Sequence, residues 1–146
     1  MPEQGQELSS VADRLDSSQV AVEIRHHGFP RSIRLLTRGD FSRIFSDTQC
    51  KSLDDSLLIL ARHNDLGFPR LGLAISKRNI KTAVGRNRVK RLVRESFRLQ
   101  QALLEGLDIV VLSRQKTAET SNPALLDALN RHWRRLAKRC ANSSSS

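Results

Sequence analysis

The sequence predicts one domain of mixed α and β structure, and three observations carry that reading. A strand pattern, a long helical pattern and a second strand pattern follow one another between Arg70 and Ser113, the order in which a crossover helix joins two parallel strands. The helix between them is apolar along one stripe and strongly cationic elsewhere. The chain has 146 residues and is 38% hydrophobic, enough for one core and too little for two comfortable ones.

Residues 1–30 are polar, slightly acidic and poor in aromatics, and read as a disordered extension with a weak helix near Ser10 to Arg25. RLLTRGDFSRIFSD, Arg34 to Asp47, places Asp40 three residues after Thr37, a capping-box pattern. Phe41, Ile44 and Phe45 then give an amphipathic helix with two rings on one side. Those rings suit core packing, and they also suit a platform on which bases stack.

LLIL within Asp54 to Ala61 is a strand candidate, and HNDLGFP, His63 to Pro69, is turn chemistry. From Arg70 to Lys77 the pattern alternates. Leu71, Leu73 and Ile75 share one face, while Gly72, Ala74 and Ser76 leave the other nearly bare, open to a covering helix or a nucleic-acid strand.

Lys77 to Arg98 holds nine Lys or Arg against one acid, Glu95, a net +8 of the chain's +10. Val89, Leu92, Val93, Ser96 and Phe97 form its inner stripe. A solvated face usually mixes signs at i,i+4. Stacked like charges instead point to a phosphate backbone, as does a sequence pI near 11.0. The helix is placed from Lys81 to Gln100 or Leu103, with Gly85 marking a later start as an alternative. LDIVVLS, Leu107 to Ser113, reads as a buried strand. A last helix from Ser121 to Arg139 has Asn122 as its cap and Pro123 at its first position. Its five cations from Arg131 to Arg139 suit either the helix dipole or RNA. Residues 141–146 read as a disordered tail.

Cys50 and Cys140 have no metal-ligand spacing and are read as reduced thiols of a cytosolic protein, although one disulfide between them is open. No apolar run approaches the roughly 20 residues that span a bilayer, and the N-terminus lacks a secretory pattern. His26, His27, His63 and His132 are scattered, and Asp54 and Asp55 face opposite ways on a strand. The sequence offers binding without catalytic or metal-holding chemistry of its own.

RNRVKRLVRESFR, Arg86 to Arg98, resembles the signature helix of the protein subunit of bacterial ribonuclease P. PRLGLAISKR, RLLTRGDFSRIF, GLDIVVLSR and LLDALNRHWRRL extend the resemblance over Arg34 to Arg139. It implies an α+β fold, a two-layer α/β sandwich of αβββαβα order over residues 31–140, with a small mixed sheet and a left-handed βαβ crossover. It implies an endoribonuclease that removes the 5′ leader of precursor tRNA. The catalytic RNA subunit would hold the Mg2+ and the chemistry, and this chain would bind that RNA and the leader.

Carried over by position, the RNA-binding residues are Arg86, Asn87, Arg88, Lys90, Arg91, Arg94 and Arg98, with Lys77 and Arg78 after the central strand. Phe41 and Phe45 would line the leader cleft, between their helix and the basic one. Ile59 stands where some relatives place a cleft aromatic, and the segment before Pro30 has no counterpart in shorter relatives. The partners implied are the catalytic RNA and precursor tRNA, with no membrane and no obligate protein partner, in the cytoplasm. A general RNA-binding protein is the main alternative. A helix-turn-helix protein would need a helix, not RLGLAIS, before the recognition helix. A membrane-surface helix would need a larger apolar stripe.

Overall fold

The structure, a computed structural model, describes residues 20–22 and 34–144, with side chains from residue 36 to residue 141. Among these residues six strands make one sheet: β1 (Val20–Val22), β2 (Arg34–Leu35), β3 (Cys50–Leu53), β4 (Leu57–His63), β5 (Arg70–Ser76) and β6 (Leu107–Ser113). Three helices accompany them: α1 (Arg38–Ser46), α2 (Ala83–Leu99) and α3 (Asn122–Ser144). From α1 onward the order is αβββαβα, as the resemblance implies. Spatially the strands run β1-β5-β6-β4-β3, with β2 also on β5. The β4–β6 ladder is antiparallel from Leu57↔Ser113 to His63↔Leu107, and β5 and β6 are parallel.

The hand of the β5–α2–β6 crossover follows from the backbone. Leu71, Leu73 and Ile75 share a core with Val89, Val93 and Phe97 of α2. The Leu71 carbonyl accepts a hydrogen bond from Leu36 N–H (3.1 Å), on the edge away from β6. Viewed from α2 with β5 running upward, an L-residue pointing at the viewer turns its N–H and C=O to the right. So β2 lies right of β5 and β6 lies left. A chain that rises in β5, crosses the near face in α2 and rises again on the left turns left-handed, against the strong right-handed preference.

The sheet separates two cores. On one face α2 and α3 bury Leu57, Ile59, Leu71, Leu73, Ile75, Ile109 and Val111 beneath Val93, Phe97, Leu129, Trp133 and Leu136. On the other, Leu36, Phe41 and Ile44 of α1 and its approach cover Leu58, Leu60, Ala74, Val110 and Leu112. The bare side of β5 is therefore the seat of α1. A Cβ at Gly72 would overlap the end of the Phe41 ring and lie 2.9 Å from Leu36 Cδ1. Thr37 caps α1 in both directions of the capping box: its hydroxyl accepts from Asp40 N–H (3.2 Å) and its N–H donates to Asp40 Oδ2 (3.0 Å).

Several expectations need correction. The groove expected between α1 and α2 does not exist, because the two helices lie on opposite faces of the sheet. Ile59 faces α2 and α3, not α1, because Leu58 and Leu60 take the α1 side. Val20–Val22 is a strand antiparallel to β5, with Val20↔Ser76, where a disordered extension with a weak helix is expected. The rest of residues 1–30 lies outside the described residues. β3, with the polar sequence CKSL, escapes a hydrophobic-pattern reading.

The helix ends also shift. α2 begins at Ala83 with Thr82 as its cap, two residues later than expected, and Gly85 sits where a Cβ would lie 2.8 Å from Ile80 Cγ2. α3 continues to Ser144, through the first four residues of the expected tail, and residues 145–146 lie outside the described residues. Ser121, not Asn122, precedes it; the Ser121 carbonyl accepts from Leu125 N–H (2.8 Å). Cys50 and Cys140 are joined in a disulfide instead of standing as free thiols. α3 lies along β3, which brings their Cα atoms within 5.7 Å across 90 residues of sequence, a proximity that sequence spacing does not signal.

Two glycines give a prediction of opposite signs. Gly72→Ala pushes a methyl into Phe41 and should cost about 1–3 kcal/mol as overpacking. Gly39→Ala, on α1 with only Thr37 Oγ1 near at 3.8 Å, should stabilise by up to about 1 kcal/mol through helix propensity. Urea midpoints of the two variants test both.

Candidate nucleic-acid interface

α2 is held from beneath and from one side. Val89, Val93 and Phe97 are fully buried. Trp133 Nε1 donates to the buried Ser96 hydroxyl (2.8 Å), and the Trp133 ring meets Phe97 edge-on at 6.1 Å. A small polar residue on the inner stripe is thus the acceptor that lets a tryptophan be buried. With its inner side fixed, the helix turns its remaining surface outward.

The side chains expected to meet RNA divide by what they touch. Lys77, Arg78, Asn87 and Arg91 are exposed, and their side chains make no hydrogen bond or ion pair among the described residues. Arg86 is half-buried and folds back to donate to the carbonyls of Ile80 (2.9 Å) and Lys81 (3.1 Å), fastening the β5–α2 connection. Arg88 reaches the start of α3, donating to Asn122 Oδ1 (2.6 Å) and the Thr120 carbonyl (3.2 Å). Lys90 and Arg94 are half-buried, and Arg94 Nε donates to the Lys90 carbonyl (3.2 Å). Arg98 pairs with Glu95 at 2.6 Å, which raises the arginine pKa and lowers the carboxyl's through that hydrogen bond. The charge is concentrated as the sequence implies, while Arg86 and Arg88 also brace the helix from within.

The two phenylalanines part company. Phe41 is 6% exposed beneath α1, a core residue. Phe45 is half-buried, stacked on Phe41 with centroids 6.4 Å apart, and like Leu53 it packs at the rim of the core on that face. Of the pair, Phe45 alone offers an accessible ring.

Sequence reasoning misses a buried polar cluster between β3 and α3. His132 is fully buried, its Nδ1 2.5 Å from Ser52 Oγ. Its Nε2 lies 3.1 Å from Asp54 Oδ2 but outside hydrogen-bonding geometry. Burial holds the His132 pKa below its usual value, helped by Arg135 and Arg131 and opposed by Asp54. Burial works against the charged form of Asp54, yet hydrogen bonds from Leu57 N–H and the Ser56 hydroxyl, with His132 nearby, hold its carboxyl below the usual range. The cluster has no exposed nucleophile, and spacing of 52, 54 and 132 along the chain gives no warning of it. Among the described residues no three His, Cys, Asp or Glu side chains converge on a metal position. Among them, too, no helix is long and apolar enough to cross a membrane.

Together these features define a class: a small α/β sandwich that presents a cationic helix on a left-handed crossover. The chain belongs to the ribonuclease P family, whose model, described as Ribonuclease P, matches residues 29–137. It is 51% identical over 119 residues to the ribonuclease P protein component of Methylococcus capsulatus, covering 82% of this chain and 92% of that protein. To the ribonuclease P protein component of Idiomarina loihiensis it is 44% identical, covering 80% and 94%. Among solved structures, the RNase P protein of Thermotoga maritima in complex with 1-(4-fluorophenyl)-2-thiourea is similar at TM-score 0.62 and 31% identity, over 67% of this chain and 94% of that one. The Staphylococcus aureus RNase P protein gives TM-score 0.62 and 26% identity, over 68% and 90%.

The site yields two measurable expectations. Arg88→Ala removes hydrogen bonds at the α2–α3 junction and should cost about 1–3 kcal/mol, whereas Arg91→Ala, exposed, should stay within about 0.5 kcal/mol; denaturant titration separates them. For His132 the folded pKa is lowered, so on acidification the unfolded chain binds the proton first. Stability should therefore be full above about pH 6.5, the ordinary histidine value, and fall as the pH drops below it. Asp54 adds a further loss only at lower pH, below the ordinary carboxyl range. His132→Gln should flatten the first slope in unfolding midpoints measured from about pH 7.5 to about pH 5, the range that brackets that value.

Proposed function

We propose that this chain is the protein component of ribonuclease P, an endoribonuclease that works as a ribonucleoprotein complex and removes the 5′ leader of precursor tRNA. It binds the catalytic RNA through the outward cations of α2 and the connection before it, Lys77, Arg78, Arg91 and the outer parts of Lys90, Arg94 and Arg98, with the neutral amide of Asn87 among them. The observation that carries this reading is the charge of α2 and of the connection before it: nine cations and one acid between Lys77 and Arg98, with the inner side of the helix already committed to the core. Arg86 and Arg88 contribute to the same surface while bracing it.

The leader is read on the other face of the sheet, along the rim where Phe45 and Leu53 stand beside α1. A single ring there stacks on any base, which suits leaders of varied sequence. Mg2+ acts on the RNA subunit. The cytoplasm is the proposed location because the RNA partners define it. The cysteines do not argue for it, since Cys50 and Cys140 are bonded.

The test uses the assembled complex. After circular dichroism confirms that Phe45→Ala is folded, its binding to leader-bearing precursor tRNA should weaken by about 1–3 kcal/mol, the stacking of one base. Binding of mature tRNA without a leader should hardly change. Equal loss for both ligands overturns the role of the ring, and a preparation in which the catalytic RNA gains nothing from the added protein overturns the function.

A further inference from the structure

Between Arg131 and Arg139 the last helix carries five Lys or Arg, and Asp127 is its one acid. Two roles fit that pattern in sequence, support of the helix dipole and contact with RNA. The dipole effect fades within the last turn, and α3 runs on to Ser144 with no basic residue in its last turn. The dipole does not account for these cations.

Two of the five have partners in the fold. Arg135 Nη1 donates to Ser52 Oγ (3.1 Å) and the Leu53 carbonyl (3.4 Å), and Arg139 Nη1 donates to the Lys51 carbonyl (2.5 Å). Arg131, Arg134 and Lys138 are exposed, and they form no hydrogen bond or ion pair among the described residues. They recur at i, i+3 and i+7, on the side of α3 opposite the buried Leu129 and Leu136. The stripe is about 10 Å long at about 1.5 Å per residue. Like charges so spaced destabilise a helix unless an anion lies across them. The Arg88–Asn122 and Ser96–Trp133 hydrogen bonds hold α2 and α3 side by side on one face of the sheet. The stripe and the exposed Arg91 therefore belong to one outer surface.

We infer that Arg131, Arg134 and Lys138 form a second phosphate-binding ridge, which takes the backbone of a structured RNA beside the segment held by α2. This inference rests on the RNA-binding function above. The backbone belongs either to the catalytic RNA or to the body of the tRNA, and the chemistry of contact is the same.

The full chain with Arg131→Gln, Arg134→Gln and Lys138→Gln tests it, against a comparator with Lys77→Gln, Arg78→Gln and Arg91→Gln. Binding to the catalytic RNA and to mature tRNA is measured over a salt series. The slope of log affinity against log salt should shrink by about 0.7–0.9 for each phosphate that is no longer neutralised, hence by about two to three for the α3 triple, with unchanged circular dichroism. The charge-preserving pair Arg131→Lys and Arg134→Lys should retain the slope, which separates loss of charge from a damaged helix. A loss confined to the catalytic RNA assigns the ridge to that partner, and a loss confined to tRNA assigns it to the substrate. Unchanged slopes for the α3 triple with both RNAs, while the comparator loses its own, overturn the ridge and leave the function standing. Full slopes in both variants overturn the ridge together with the RNA-binding reading on which it rests.

Discussion

Arg70 is where the two layers are tied together. Standing first in β5, it donates to both carboxylate oxygens of Asp108 on β6 (2.8 and 2.7 Å) and lies 3.1 Å from Asp40 in α1. Asn64 adds a hydrogen bond to Asp108 (2.9 Å). The hydrogen bonds with Asp108 raise the arginine pKa, against the opposing effect of burial. Burial likewise disfavours the Asp40 carboxylate, but Thr37 and then Arg70 outweigh it and hold that pKa low. The same Asp40 completes the cap of α1, so helix initiation and helix docking share one carboxylate. Breaking a buried ion network typically costs about 3–5 kcal/mol because it strands a charge. Here the figure is smaller, since a fifth of the Arg70 side chain remains exposed. The tie adds to the apolar packing of Leu36, Phe41 and Ile44 that covers Leu58, Leu60, Val110 and Leu112.

Seating α1 on Gly72 divides the labour of the sheet. One face closes over a small core and leaves Phe45 at its rim. The other supports two helices whose outer surface is cationic. Repulsion among cations cannot disturb the α1 core directly, because the sheet stands between them. The left-handed crossover is what puts α2 on the face opposite α1, with its inner stripe on β5 and its flank against α3. The fold thus presents two chemically distinct surfaces, one aromatic and apolar at its edge and one charged.

Much of this is legible in the sequence, and the limits of legibility have physical causes. β6 and β5 are readable because a buried strand and a one-sided strand leave clear patterns, and α1 because Thr37 and Asp40 announce a cap. The cationic surface is visible as composition. What a one-dimensional pattern does not carry is which face of a sheet a helix will cover. Gly72, Ala74 and Ser76 read equally well as a groove floor or as a helix seat, and only Phe41 in contact with Gly72 decides it. The same limit explains Ile59, whose side of β4 depends on register, and the pairing of Cys50 with Cys140. β3 leaves no apolar pattern because a buried polar residue, Ser52, follows Cys50 on one side while Lys51 precedes Leu53 on the other, and it draws its stability from β4 and α3. Arg88 looks like its neighbours in sequence, yet its position beside Val89 turns it toward α3 and into hydrogen bonds there.

β3 is the outermost strand of its side of the sheet, and two of its outer carbonyls are already occupied. Arg139 and Arg135 lay their guanidinium groups on the carbonyls of Lys51 and Leu53, positions where the strand of another molecule would otherwise pair. An open edge of this kind is a template for self-association. Two arginines from a neighbouring helix close it with charge as well as with hydrogen bonds, so a second copy approaching edge-on would meet cations in place of acceptors. The last helix therefore acts as a guard against strand exchange, and the sheet carries its cationic surface without offering that edge to a second sheet.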